Sequence, residues 1–391
     1  MRKNIAAAML VVAAVMLPAA QAPAPVAGFV FEDVNGNGSR DPGERGLAGV
    51  AISNQHEVVE SGADGAYRLT GPGYGVVFVS LPEDHRAVGT FWKAVPSASS
   101  SVSLDFALAA RPAPTTFTFI HASDAHVSPQ SLVRLQQFRA IAEARRSDFV
   151  LVTGDLVRDA LRVGEDEARG YYDLYLDETR RFPMPVWSVP GNHENFGIER
   201  HLSLVSATHP LYGKGMYRQR LGPNYYSITF GGVHFVGLDS VDIADLWYYG
   251  HVDATQLAWL RADLERLPAG TPVVTFNHIP FVSAVDEMNG YRDDGAAPTL
   301  IKVGDRTVFR HTVSNFRDVL AVLQPHDWPL ALGGHFHTRE SIRYESAIRT
   351  RFHQAAAIVG PTDNVVPAIS GVTLYRVKDR VIDDGEFIAL K

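Results

Sequence analysis

The sequence runs to 391 residues, room for two or three domains of about 150 residues each, and its 46% hydrophobic and 20% charged content is that of a globular chain with a full core. Its 36 Lys and Arg against 43 Asp and Glu leave a net charge of −7. That argues against broad electrostatic binding to nucleic acid or to an anionic membrane surface, and leaves room only for a local basic pocket.

Arg2 and Lys3 precede an apolar run from Ile5 to Leu17 and small residues around Ala20 and Ala22. This is the layout of a secretory signal peptide over residues 1–22. The run is too short to cross about 30 Å of hydrocarbon as a helix. The chain is therefore expected to be exported, periplasmic or secreted, with no stable membrane insertion after cleavage; an uncleaved anchor is the other reading. Cysteine is absent, which excludes disulfides and a lipid-modified cysteine, so an exported chain would rely on a large core or bound metals.

After a short linker at Pro23–Pro25, residues 28–110 carry short alternating or apolar runs separated by Gly, Pro, Asp and Asn. Val76–Val79 and Val102–Leu108 are examples. The pattern predicts a small all-β sandwich of about seven strands. Its loop from Asp33 to Glu44 has the spacing of a calcium loop, with candidate oxygens on Asp33, Asn35, Asn37, Ser39, Asp41 and Glu44 and a glycine, Gly38, at the sixth position. Strand-like flanks exclude a helix–loop–helix hand. The other reading is a polar hairpin loop tied by Asx turns, with no ion. This loop and the following Gly46-Leu47-Ala48-Gly49-Val50 resemble the B-type β-sandwich repeats of bacterial surface adhesins, which implies a Ca2+-stabilised sandwich without catalysis of its own.

Arg111-Pro112-Ala113-Pro114 reads as a linker, and from Thr115 strands alternate with helices. Phe117–Ile120, Phe149–Val152 and Val186–Val189 are predicted strands, with helices over Leu132–Arg146 and Tyr171–Arg181 between them. Tyr225–Leu238 is predicted to be a hairpin turning at Gly231-Gly232. A helix over Ala254–Leu267, buried strands at Val273–Phe276 and Leu330–Leu332, and further strands from His353 to Leu390 complete an α/β fold with mixed sheets.

Five polar clusters sit where apolar strands end: Asp124-Ala125-His126, Gly154-Asp155, Gly191-Asn192-His193-Glu194, Asn277-His278 and Gly333-Gly334-His335-Phe336-His337. Open α/β sheets keep ligand crevices at those ends. Imidazoles with carboxylates suit two divalent transition-metal ions such as Mn, Fe or Zn, and such pairs drive displacement at phosphorus. The glycines before Asp155, Asn192 and His335 permit the tight turns needed. The insertion Phe281–Thr312 is a candidate lid. Trp247-Tyr248-Tyr249-Gly250-His251 would either stack on a substrate ring or pack internally.

These clusters, in this order over residues 115–391, resemble the calcineurin-like metallophosphoesterase superfamily. The resemblance implies a four-layer α/β/β/α sandwich that hydrolyses a small phosphomonoester or phosphodiester through attack of a metal-bridging hydroxide. It implies that Asp124, His126 and His337 bind one ion, that Asn192, His278 and His335 bind the other, and that Asp155 bridges them. His193 would assist at the scissile phosphate, and Glu194, without an assigned role, would anchor its loop. Eight further histidines within residues 115–391, His311 among them, match no motif position and are not expected to be ligands. Many members carry an aspartate three residues after the Gly-Asp aspartate, which orients the catalytic histidine. Arg158 stands there, so Asp159 or another group would have to orient His193, while Arg158 would contact a phosphate or form a surface ion pair. The competing class is a surface binding protein that uses the β-sandwich and carries a weakly active metal domain. A nuclease is a third reading that the acidic charge disfavours.

Overall fold

The computed structural model describes residues 24–96, 101–294, 298–360 and 369–391. The expected signal segment lies outside the described residues, apart from which no described helix is long and apolar enough to cross a membrane.

Two six-stranded mixed sheets organise the chain from Thr116 onward. In the first, Val186–Val189, Phe149–Thr153 and Thr116–Ala122 run parallel, and Gly371–Lys378 pairs antiparallel with Thr116–Ala122. In the second, the hairpin Tyr226–Phe230/Val233–Gly237 leads into the parallel strands Pro272–Phe276, Asp327–Gly333 and Arg349–Gln354. The expected glycine turn is there, with Gly231 and Gly232 both at positive φ, 56° and 74°. That backbone matches the twist of a two-residue hairpin.

The sheets meet through aromatic rings. Phe149 stacks on Phe119 at 5.4 Å and meets Phe230 and Phe235 of the second sheet at 5.0 and 5.2 Å. All four are buried. The helix Leu132–Arg145 buries Leu135, Phe138 and Ala142 at i, i+3 and i+7, the face its sequence predicts. The next helix starts at Glu165, six residues before the expected Tyr171. Its first turn is Glu165, Asp166 and Glu167, which favours a helix N-terminus electrostatically but carries no apolar period to read.

Among the described residues, 26–110 form nine strands in two sheets rather than about seven. The additional strands are only two or three residues long, too short to show alternation. This part packs on the hairpin of the second sheet. Gln55 Nε2 donates to Asn224 Oδ1 and to the Tyr225 carbonyl, Ser80 and Ser227 hydroxyls bond at 2.8 Å, and Phe78 and Phe91 pack on Tyr226. The apolar core is continuous across both regions.

Because Phe149 joins the two sheets, Phe149→Ala should cost about 3–5 kcal/mol in equilibrium unfolding. A loss under about 1 kcal/mol would show that the interface between the sheets collapses around the gap.

Candidate metal centre

The parallel strands of the two sheets deliver their C-terminal ends to one place. Asp124 and His126 follow Thr116–Ala122, Asp155 follows Phe149–Thr153, and Asn192 and His193 follow Val186–Val189. His278 follows Pro272–Phe276, and His335 and His337 follow Asp327–Gly333. All eight residues singled out in the sequence converge. Donor atoms of Asp124, His126, Asp155 and His337 lie within 4.8 Å of one another, and so do those of Asp155, His278 and His335. Asp155 is common to both groups. Its Oδ1 is 3.3 Å from His278 Nε2, and its Oδ2 is 3.6 Å from His126 Nε2. Asn192 Oδ1 joins the second group, 3.0 Å from His278 Nε2.

The backbone is bent to do this. Asp124, His126, Asp155, His335 and His337 have φ of 55°, 40°, 49°, 78° and 55°. Left-handed non-glycine residues cost about 1–3 kcal/mol each and persist where surrounding structure enforces them. Glycines clear the remaining space. A Cβ on Gly154 would stand 2.6 Å from His278 Nδ1, and one on Gly334 would stand 1.9 Å from Ser123 Oγ.

The donors fit divalent cations. Asp124 is fully buried, and its Oδ1 lies 3.2 Å from His337 Nε2 and 3.9 Å from His126 Nε2 without an aligned hydrogen bond. His126 Nε2 faces His337 Nε2 at 3.1 Å, and His278 Nε2 faces His335 Nδ1 at 3.2 Å. Ring nitrogens directed at one another and at carboxylates, in a buried space, need a shared cation or proton. Burial, reinforced by His193, pushes His126 down to about 3, so it presents a bare lone pair. Burial opposes a charge on Asp155, but His278 and His193 outweigh it and hold the carboxyl well below its usual range.

Two carbonyls set ring orientations. His278 Nδ1 donates to the Thr153 carbonyl at 2.8 Å, which leaves Nε2 for the cluster. His193 Nδ1 donates to the Arg158 carbonyl at 2.5 Å, and its peptide N–H donates to Asp155 Oδ1 at 2.9 Å. Asp159 does not orient His193; it pairs with Arg162. The position where Arg158 stands thus supplies the orienting atom from its main chain. Glu194 anchors the loop. Its Oε1 accepts from Leu156 and Val157 N–H, and its Oε2 from Asp155 and Gly191 N–H. Burial and Asp155 push this acid up to about 8, against the pull of those N–H groups.

Sequence reasoning passed over His311. Its Nδ1 is 2.7 Å from His335 Nε2, with the rings stacked at 5.0 Å. One of these two nitrogens donates and the other accepts, so each ring holds the other in place. That contact fixes the orientation of the His335 ring, whose Nδ1 faces His278 Nε2 at 3.2 Å. The 24-residue separation from His335 carries no motif, so only the fold reveals the contact. The insertion that holds His311 walls a cavity of about 600 Å³, also lined by His126, Asp155, Asn192, His193 and Tyr248. Tyr248 reaches this cavity, whereas Trp247 packs against Arg310. The calcium-type loop differs from the strand-end clusters. Asp33, Asp41 and Glu44 form no such donor group among the described residues and accept hydrogen bonds from their own loop instead.

A buried Asp/His set at the strand ends of paired mixed sheets marks a candidate metal-dependent hydrolase. The family model of calcineurin-like phosphoesterases matches residues 117–339, more than half the chain, and the protein belongs to that family. That family is one of phosphoesterases that use divalent metals. A 3',5'-cyclic-nucleotide phosphodiesterase of Nostoc sp. is 25% identical over 192 residues, covering 49% of this chain and 56% of the relative. The chain thus spans little more than half the length of that curated relative. Similar solved structures include a dimetal phosphatase from Danio rerio, with a TM-score of 0.45 and 16% identity over 70% of this chain and 99% of that one. They also include a purple acid phosphatase from yellow lupin seeds, with a TM-score of 0.45 and 13% identity over 88% and 68%.

If His311 orients the His335 ring, His311→Ala should weaken transition-metal binding about 10- to 100-fold in titration against a competing chelator. His311→Gln, which can accept through Oε1 and donate through Nε2, should recover part of the loss. Unchanged affinity in His311→Ala would remove this role.

Proposed function

We propose that this chain is an exported, dinuclear metal-dependent phosphoesterase that hydrolyses a small phosphomonoester or phosphodiester. The observation that carries the reading is the pair of buried donor groups joined by Asp155, beside a cavity that His193 also lines. Asp124, His126 and His337 with one Asp155 oxygen would hold one ion. Asn192, His278 and His335 with the other oxygen would hold the second. Such ions, when bound, stabilise charge on phosphoryl oxygens and make water acidic enough to serve as a nucleophile near neutral pH.

The chain's own residues do the rest. His193 keeps its Nδ1 proton on the Arg158 carbonyl and presents Nε2 to the cavity. From there a protonated imidazole hands its Nε2 proton to the departing ester oxygen. Glu194 holds the Gly191 and Asp155 turns so that His193 and the shared carboxylate keep register. The Nostoc relative's printed activity makes cyclic phosphodiesters reasonable members of the substrate panel.

Several finer features belong to the same proposal. The two sheets with their flanking helices are read as the four-layer sandwich of the family, the catalytic domain as residues 115–391, and the N-terminal sandwich as residues 28–110. Export rests on the basic-then-apolar layout of residues 1–22. Calcium at Asp33–Glu44 rests on the spacing of its oxygens.

Purified protein should hydrolyse aryl phosphate mono- or diesters, lose the activity to a chelator, and regain it with Mn, Zn, Fe or Co. His193→Ala should keep its metal yet lose about 10²- to 10⁴-fold in turnover. A metal-replete preparation inactive on a broad ester panel would sink the reading, and unchanged turnover in His193→Ala would remove the role given to that residue.

A further inference from the structure

The catalytic cavity has a wall whose chemistry the cluster does not use. The short helix Val285–Asn289, within the insertion after His278, contributes Val285, Asp286 and Met288 to the lining that also includes His193, Asn192 and Asp155. Asp286 is only 4% exposed, and its Oδ2 is buried without a hydrogen-bond partner. No ion pair holds its carboxylate among the described residues, although Arg292 lines the same cavity. The segment is held in place by its main chain: Ala284 N–H donates to Glu340 Oε1 and Val285 N–H to Ser283 Oγ. Burial and, secondarily, Glu287 push the Asp286 acid up to about 6.

A buried carboxylate with no partner is costly, and proteins rarely keep one unless something else supplies the donor. A five-residue helix has little dipole to compensate it. Asp286 itself stands in the wall of the cavity. With the phosphate of an ester at the Asp/His cluster, its alcohol half extends into the rest of the 600 Å³ space. An anionic acceptor there repels a second anionic group and gains nothing from a plain hydrocarbon; it needs a hydroxyl or an ammonium.

We propose that Asp286 is a specificity-determining residue that accepts a hydrogen bond from a donor on the alcohol half of the substrate. The preferred substrates are then phosphate esters of polyols or amino alcohols rather than of simple alkyl or aryl alcohols. This rests on the phosphoesterase reading above and adds the substrate class to it.

Metal-loaded wild type, Asp286→Asn and Asp286→Ala would be compared on aryl phosphates and on mono- and diesters of glycerol and of ethanolamine. The selectivity of the wild type, the ratio of kcat/KM for the donor-bearing esters to that for aryl esters, should fall roughly 10- to 100-fold in Asp286→Ala, with the loss mainly in KM. The two sources of the donor separate in Asp286→Asn. An amide oxygen still accepts from a hydroxyl, so partial retention marks the glycerol arm; a loss as large as in Asp286→Ala marks the ammonium arm. An unchanged ratio, whether both rates fall together or neither moves, overturns the role of Asp286 while leaving phosphoesterase activity standing. Wild type inactive on every ester, aryl phosphates included, overturns the phosphoesterase reading itself.

Discussion

A carboxylate buried within reach of several imidazoles keeps its charge only if positive charge surrounds it. Asp155 is in that position, with each of its oxygens turned to a different set of donors. Much of the neighbouring structure follows from holding this group still. Its main chain is turned to positive φ, and its own N–H is bound by Glu194, which also binds Gly191 from the adjoining strand end. The Glu194 carboxylate therefore ties two of the delivering turns together, and the N–H of His193 closes the circuit on Asp155 Oδ1. A single change in this knot would misplace donors from several strands at once.

The two sheets explain why the donors can meet. Each sheet delivers its functional residues from the ends of adjacent parallel strands, and the aromatic block around Phe149 fixes one sheet against the other. The insertion then completes what the strands begin. It brings His311 behind His335 and Asp286 into the cavity wall, so the support of the His335 ring and the proposed recognition of the alcohol half come from a segment outside the recognisable motifs.

That division tracks what could be read from the residues alone. The strand-end clusters were legible because each couples an apolar run to an adjacent polar group, a local signal. The long helix at Leu132–Arg145 was legible from its apolar period. The orientation of His193 was not, because the atom responsible is a main-chain carbonyl, which no residue type announces; Asp159 looked plausible by proximity and in fact serves Arg162. His311 carries no signal in the sequence because its partnership with His335 exists only after folding. Two- and three-residue strands are too short to alternate, so the sequence shows too few strands in the β-region, and a wholly acidic first turn hides the start of the helix at Glu165.

The central claim is that one shared carboxylate unites two metal sites. Elemental analysis of the purified chain beside Asp155→Ala and Asp124→Ala tests it most directly, with folding checked by circular dichroism. The account predicts two transition-metal ions per wild-type chain, weakening of both sites in Asp155→Ala, and selective loss of one ion in Asp124→Ala. A folded Asp155→Ala that retains a full complement of either ion, or a metal-saturated wild type that binds only one, would contradict it.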